Sequence, residues 1–111
     1  MKRTLVAISS AALLSAALAG TPASGADAAP IKRVSISMFK FQPARIVVTR
    51  GTRIVWTNAD SDPHTIRSKA AGWSSPALDT GKSFSRVARK AGTFHYICTI
   101  HPFMHGTVIV K

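Results

Sequence analysis

The chain is punctuated too often for helices. Short runs in which apolar, β-branched or aromatic residues alternate with polar ones recur along it, and glycine, proline or asparagine closes most of them within a few residues. Val34-Ser35-Ile36-Ser37-Met38 has period two, which places Val34, Ile36 and Met38 on one face of a half-buried strand. Ile46 to Thr49, closed by Arg50-Gly51, reads as a second strand, and Thr52 to Asn58 as a third, rich in β-branched and aromatic types. His64 to Ser68 reads as a short strand leaving the polar turn Asn58–Pro63; Lys82–Val87, Thr93–Cys98 and Thr107–Val110 read as three more. Residues 69–81, broken by Gly72, Pro76 and Gly81, predict a long surface loop with one helical turn. The pattern predicts an all-β, antiparallel β-sandwich of about seven to eight strands, with Trp56, Phe84, Phe94 and Tyr96 in its core.

A chain of 111 residues holds one domain. Its first 28 residues carry the signs of a secretory signal peptide: the positive Met1-Lys2-Arg3, an Ala/Leu-rich apolar stretch from Leu5 to Ala19, and the small-residue motif Ala26-Asp27-Ala28. Cleavage is expected after Ala28, leaving residues 29–111 as the mature domain. The apolar stretch is shorter than the roughly 20 residues that cross a bilayer, so a retained anchor is not expected. The product is expected in the periplasm or outside the cell, and as a monomer.

Charge narrows the partners. The formal +11 of the full chain falls by only one unit when Lys2, Arg3 and Asp27 are removed, and no glutamate occurs anywhere. Export argues against nucleic acid, and the basic residues are scattered along the sequence rather than gathered in a block. Solubility and steering toward an acidic partner or an anionic surface remain as readings of that charge.

Cys98 is the single cysteine, so no intramolecular disulfide supplements a small core. A lone thiol in an oxidising compartment is oxidised unless it is buried, bonded or ligating a metal. Within seven residues the chain offers Cys98, His101 and Met104, and His64, stiffened by Pro63, stands at an earlier strand end. Each has an ordinary explanation alone: a small buried hydrophobe, a turn histidine, a core filler. Together they make a donor set of one thiolate, two imidazoles and one thioether. Structural zinc sites usually carry two or more cysteines, whereas two histidines and a cysteine with a weak axial methionine suit one copper ion cycling between Cu(I) and Cu(II). Zinc could still enter such a site. By strand alternation His95 faces away from Cys98, and His105 falls on the rim of the site or in solvent.

Tyr96-x-Cys98-x-x-His101-Pro102-Phe103-Met104, with Val55-Trp56-x-Asn58 and Pro63-His64 upstream, resembles the cupredoxins with the shortest ligand loop, the amicyanin and plastocyanin-like group. The resemblance covers nearly all of residues 29–111. It implies an eight-stranded Greek-key sandwich with copper near one end, His64, Cys98 and His101 as equatorial ligands, and Met104 as the axial one. In that family the residue after the first histidine, often asparagine, ties the two ligand loops together and brings its backbone amide to the sulfur; here it is Thr65. The implied function is single-electron shuttling between a donor and an acceptor, such as a c-type cytochrome or a dehydrogenase, with an acidic partner suggested by the charge.

His101 is expected to present its ring edge at the surface, inside an apolar patch of Pro102, Phe103 and Met38. Enzyme activity is not expected: a catalytic copper needs an open coordination position or a second metal, and Asp60, Asp62 and Asp79 make no paired carboxylate site. The competing reading is a periplasmic copper-binding or delivery protein whose metal exchanges instead of cycling. A third is a basic domain on membranes or polyanions, with a metal only for stability.

Overall fold

The computed structural model describes residues 29–111; the expected signal peptide, residues 1–28, lies outside the described residues. Nine strands form: β1 (Ile31–Ser37), β2 (Lys40–Gln42), β3 (Arg45–Val48), β4 (Arg53–Asn58), β5 (Arg67–Ser68), β6 (Trp73–Ser74), β7 (Ser83–Val87), β8 (Gly92–Ile97) and β9 (His105–Val110). They make two sheets, one ordered β2-β1-β4-β7 and the other β3-β9-β8-β5-β6. The chain crosses between the sheets after β2, β3, β4, β6 and β7. All-β architecture and the sandwich agree with the sequence expectation.

Two pairings are not antiparallel. β1 runs parallel to β4, with Val34 opposite Trp56, and β3 runs parallel to β9, with Ile46 opposite Val108. Alternation along a strand reports which face is buried and says nothing of the neighbour's direction. The sheets are therefore mixed, and β2 and β6, neither of them among the seven runs read from the sequence, raise the strand count to nine.

Alternation does set the core. Val34 and Ile36 from β1, Ile54 and Trp56 from β4, and Phe84 from β7 face Phe94 and Tyr96 from β8 and Val108 and Val110 from β9, all buried. Trp56 lies at the centre, with its ring 5.5 Å from Tyr96, 5.6 Å from Trp73 and 5.9 Å from Phe84, at separations aromatic pairs favour. Gly106 makes room for this cluster: a Cβ there would overlap the Tyr96 ring.

Residues 69–81 contain no helix. Trp73 is buried, β6 pairs with β5, and Leu78 forms an isolated bridge with His64. Ser75 completes the segment: its N–H donates to Ile66 O, and its hydroxyl accepts the Ile66 N–H. Burying Trp73 draws the segment against the sheet, where its backbone groups must find partners. A two-residue strand is too short to show a period. His64, expected at a strand start, sits in that bridge instead, and β5 begins at Arg67.

Candidate metal centre

At one end of the sandwich, just beyond β8 and before β9, the chain forms a tight loop closed on itself. Cys98 N–H donates to Met104 O at 3.2 Å, and Met104 N–H to His101 O at 2.9 Å. These two bonds hold Cys98, His101 and Met104 on one turn whose ends are fixed by the pairing of Ile97 with His105. The second loop brings His64, whose backbone exchanges two hydrogen bonds with Leu78. Cys98 and His64 have no exposed surface and Met104 is 2% exposed.

The donor atoms converge. Cys98 Sγ lies 3.8 Å from His64 Nδ1 and 3.9 Å from His101 Nδ1, and the two Nδ1 atoms are 3.2 Å apart. A point equidistant from three atoms with these separations lies about 2.1 Å from each, inside the roughly 2.0–2.3 Å range of bonds from nitrogen and thiolate sulfur to a borderline ion such as zinc. Three electron-rich atoms packed this closely in a buried site call for a cation between them. The set, completed by the Met104 thioether on the same loop, suits a copper ion better than a hard, oxygen-seeking one.

Burial by itself pushes the Cys98 thiol up. The N–H of Thr65, His64, and the N–H and imidazole of His101 outweigh it and bring the thiol down to about 6. Thr65 N–H lies 3.3 Å and His101 N–H 3.4 Å from Sγ. The sulfur is held ready as thiolate, the form that binds metal.

Thr65 also ties the loops through its side chain. Its Oγ1 accepts the Thr99 N–H at 2.7 Å and shares a hydrogen bond with the Thr99 hydroxyl at 2.8 Å. The tie made by asparagine in many cupredoxins is thus made here by a hydroxyl, and the amide approach to sulfur is kept.

Two residues to which the sequence reading gives no part in the centre, Asp60 and Phe39, complete the surroundings. Asp60 Oδ2 accepts a hydrogen bond from His64 Nε2 at 2.8 Å, which puts the ring proton on Nε2 and leaves the Nδ1 lone pair toward Cys98. The same carboxylate accepts the N–H groups of Met38 and Phe39 at 2.7 and 2.9 Å, the only non-glycine residues with positive φ among the described residues. Burial works against ionisation of Asp60, but these donors and His64 hold its carboxyl below the usual range. Phe39, so positioned, stands edge-on to both imidazoles, with ring centroids 5.4 Å from His64 and 5.0 Å from His101. Asn58, which closes β4, has a fully buried side chain that donates to Asp62 O and Leu78 O while accepting the Asp60 N–H. The sequence signal for Asp60 was its position four residues before His64, and for Phe39 there was none.

His101 alone of the three donors reaches solvent, with its side chain 20% exposed and Nε2 3.9 Å from Asp62. Around it Met38, Phe103, Phe39 and Ile100 are exposed, as is Pro102. His95 is exposed and bonded to Thr107, away from the centre, and His105 is exposed at the start of β9.

Comparison with known proteins points the same way. Residues 6–110 match the Cupredoxin-like domain family. Amicyanin-alpha of Methylorubrum extorquens is 34% identical over 70% of this chain and 70% of its own length. Among solved structures, a purple cupredoxin from Nitrosopumilus maritimus superposes with a TM-score of 0.67 at 30% identity, covering 72% of this chain and 99% of the other. An amicyanin variant in its Cu(I) form superposes with a TM-score of 0.69 at 30% identity, covering 78% and 88%.

Proposed function

Because this chain belongs to the cupredoxin-like family, we propose that it is a type 1 copper electron-transfer protein in which His64, Cys98 and His101 would hold the ion, with the Met104 thioether as a fourth, weaker donor. The observation that carries this reading is the triangle of Sγ and two Nδ1 atoms, which fits one ion at bonding distance from all three. Copper held there supplies a one-electron couple, Cu(I)/Cu(II).

The protein's own part is to keep the donors still. Asp60 fixes the His64 ring, Thr65 locks one loop to the other, and the backbone bonds among Cys98, His101 and Met104 fix the second loop. Donors that do not move when the charge changes keep the reorganisation cost low. His101, the one donor at the surface, is the exit for the electron, and the apolar residues around it let a redox partner approach closely without stripping water from charges. The protein is an electron carrier and not an enzyme, since four side-chain donors leave no position for substrate. Cleavage after Ala28 and action in the periplasm complete the proposal, supported by the export signal in the sequence and by the burial of the unpaired thiol. The net positive charge favours acidic donor and acceptor proteins.

The test is reconstitution with Cu(II), followed by visible absorption and paramagnetic resonance. Native protein is expected to show an intense thiolate-to-copper band that disappears on reduction and returns on oxidation. Cys98→Ser should abolish the band, and its survival would exclude this thiol as a ligand. His101→Gly should leave the sandwich folded but slow electron exchange. Rapid surrender of Cu(I) to an acceptor protein, without reversible oxidation, would instead identify a delivery role.

A further inference from the structure

Six of the thirteen basic residues of 29–111, scattered in the sequence, are brought by the fold to the lining of two adjoining clefts. β7 ends one sheet and β6 ends the other, and between these edges the sandwich opens into a cleft of ≈ 480 Å³. Arg53, Arg86, Arg89 and Lys90 line it. Trp73 and Phe94 give it an aromatic wall. A second cleft of ≈ 400 Å³ shares Gly72 and Trp73 with the first and adds Arg67 and Lys69. No carboxylate lines either cleft, and among the described residues no arginine or lysine forms an ion pair.

On this flank the larger cleft lies away from the metal centre, whereas Arg67 of the smaller one pairs with Ile97, the residue before Cys98. Arg53 opens β4 and Asn58, which braces the His64 loop, closes it, a separation of about 17 Å at the usual rise of a strand. Phe94 and Val110 likewise stand toward the strand ends remote from Cys98 and Met104. All three described aspartates sit at the other pole: Asp60 and Asp62 contact the ligand histidines, and Asp79 lies between Leu78, bridged to His64, and Thr80, which bonds Asp60 O. Electron exchange through His101 makes no use of the larger cleft.

We propose that this flank is a binding site for phosphate groups. Four cations around one cleft and two more around its neighbour leave a positive field that a single carboxylate would not balance, whereas a polyvalent oxyanion would. Guanidinium forks match phosphate oxygens two at a time, and three of the four cations in the larger cleft are arginines. Arg86 is partly organised already, its guanidinium 4.4 Å from the Phe84 ring centre and its Nη1 donating to Ser85 O at 2.9 Å. The two clefts, joined at Gly72 and Trp73, have room for consecutive phosphoryl groups. Arg86 also shares the inward face of Phe84 on an edge strand, where the alternative role of a charge is to prevent sheet-to-sheet association. The experiment separates these roles.

The reduced, copper-loaded protein is titrated with pyrophosphate at low ionic strength, with amide and indole resonances followed by NMR. Saturable shifts are expected at Gly72, Trp73, Arg89 and Lys90, with His101 unmoved. Arg86→Gln combined with Arg89→Gln should weaken binding by about tenfold or more, the loss expected for two charge-assisted contacts. Lys40→Gln combined with Arg45→Gln removes the same charge outside both clefts and should leave binding nearly unchanged. Absence of saturable shifts, equal weakening in the two double variants, or self-association of the Arg86/Arg89 variant with undiminished binding would each overturn the proposal. Phosphatidylglycerol vesicles, compared with phosphatidylcholine, identify the source. Retention lost in the Arg86/Arg89 variant and competed by pyrophosphate marks lipid headgroups, and pyrophosphate binding without vesicle retention marks a soluble phosphoryl compound.

Discussion

Asp60 serves three donors at once, which makes it the side chain whose loss should be felt furthest from its own position. It orients His64 and it also holds Met38 and Phe39 in a backbone conformation that non-glycine residues rarely adopt. Asp60→Ala should leave the sandwich folded, because the partners of its carboxylate, Met38 N–H, Phe39 N–H and His64, lie in the loops and outside the nine strands. Copper affinity should fall by about 10–100-fold, as is usual when a partner of a ligand histidine is removed. Hydrogen exchange at the Met38 and Phe39 amides should speed up in the metal-free protein as well, a readout independent of the ion. Unchanged exchange in that variant would show that the turn holds itself.

Two loops, each attached to a different strand end, must meet for the centre to exist, and Thr65 is the crossing point. Its hydroxyl accepts the Thr99 N–H and its own N–H points at Cys98 Sγ. Thr65→Val keeps the shape and the backbone contact but removes the acceptor, which leaves the Thr99 N–H without its partner. Stability should drop by about 1–3 kcal/mol, measured by urea unfolding of the metal-free protein. The visible band of the copper form should persist, because the backbone still reaches the sulfur. Strand-forming residues and turn residues were legible for most of the chain because buried and exposed positions alternate in β4, β8 and β9. β6 was not, since its two residues are recruited by the burial of Trp73 and by pairing with β5, neither of which leaves a local pattern.

Across the whole domain, the aromatic centre sets how the protein responds to alkali. Burial pushes the Tyr96 phenol from its ordinary 10.0 up to about 12. Between those values the unfolded chain has released a proton that the folded one keeps, so stability falls as pH rises, while below pH 10.0 this group contributes no slope. The full effect is about 2–3 kcal/mol. Tyr96→Phe should lack this alkaline component when midpoints of urea unfolding are compared across the interval; an identical slope in both proteins would remove Tyr96 from the account. The same cluster explains Gly106: any side chain there would displace the Tyr96 ring on which Trp56 packs.

The candidate donors were legible in the chain itself, because thiolate and imidazole chemistry belongs to residue types and the spacing of Cys98 and His101 is local, while the structure brings His64 to them. Alternation likewise determined which side of each strand would be buried. Strand direction, the partnership of Asp60 with His64, the edge-on placement of Phe39 and the gathering of distant arginines at one flank were decided only by tertiary structure. Each joins residues far apart in sequence or separated by a turn of unpredictable path, and only the packing of one sheet on the other brings them within reach.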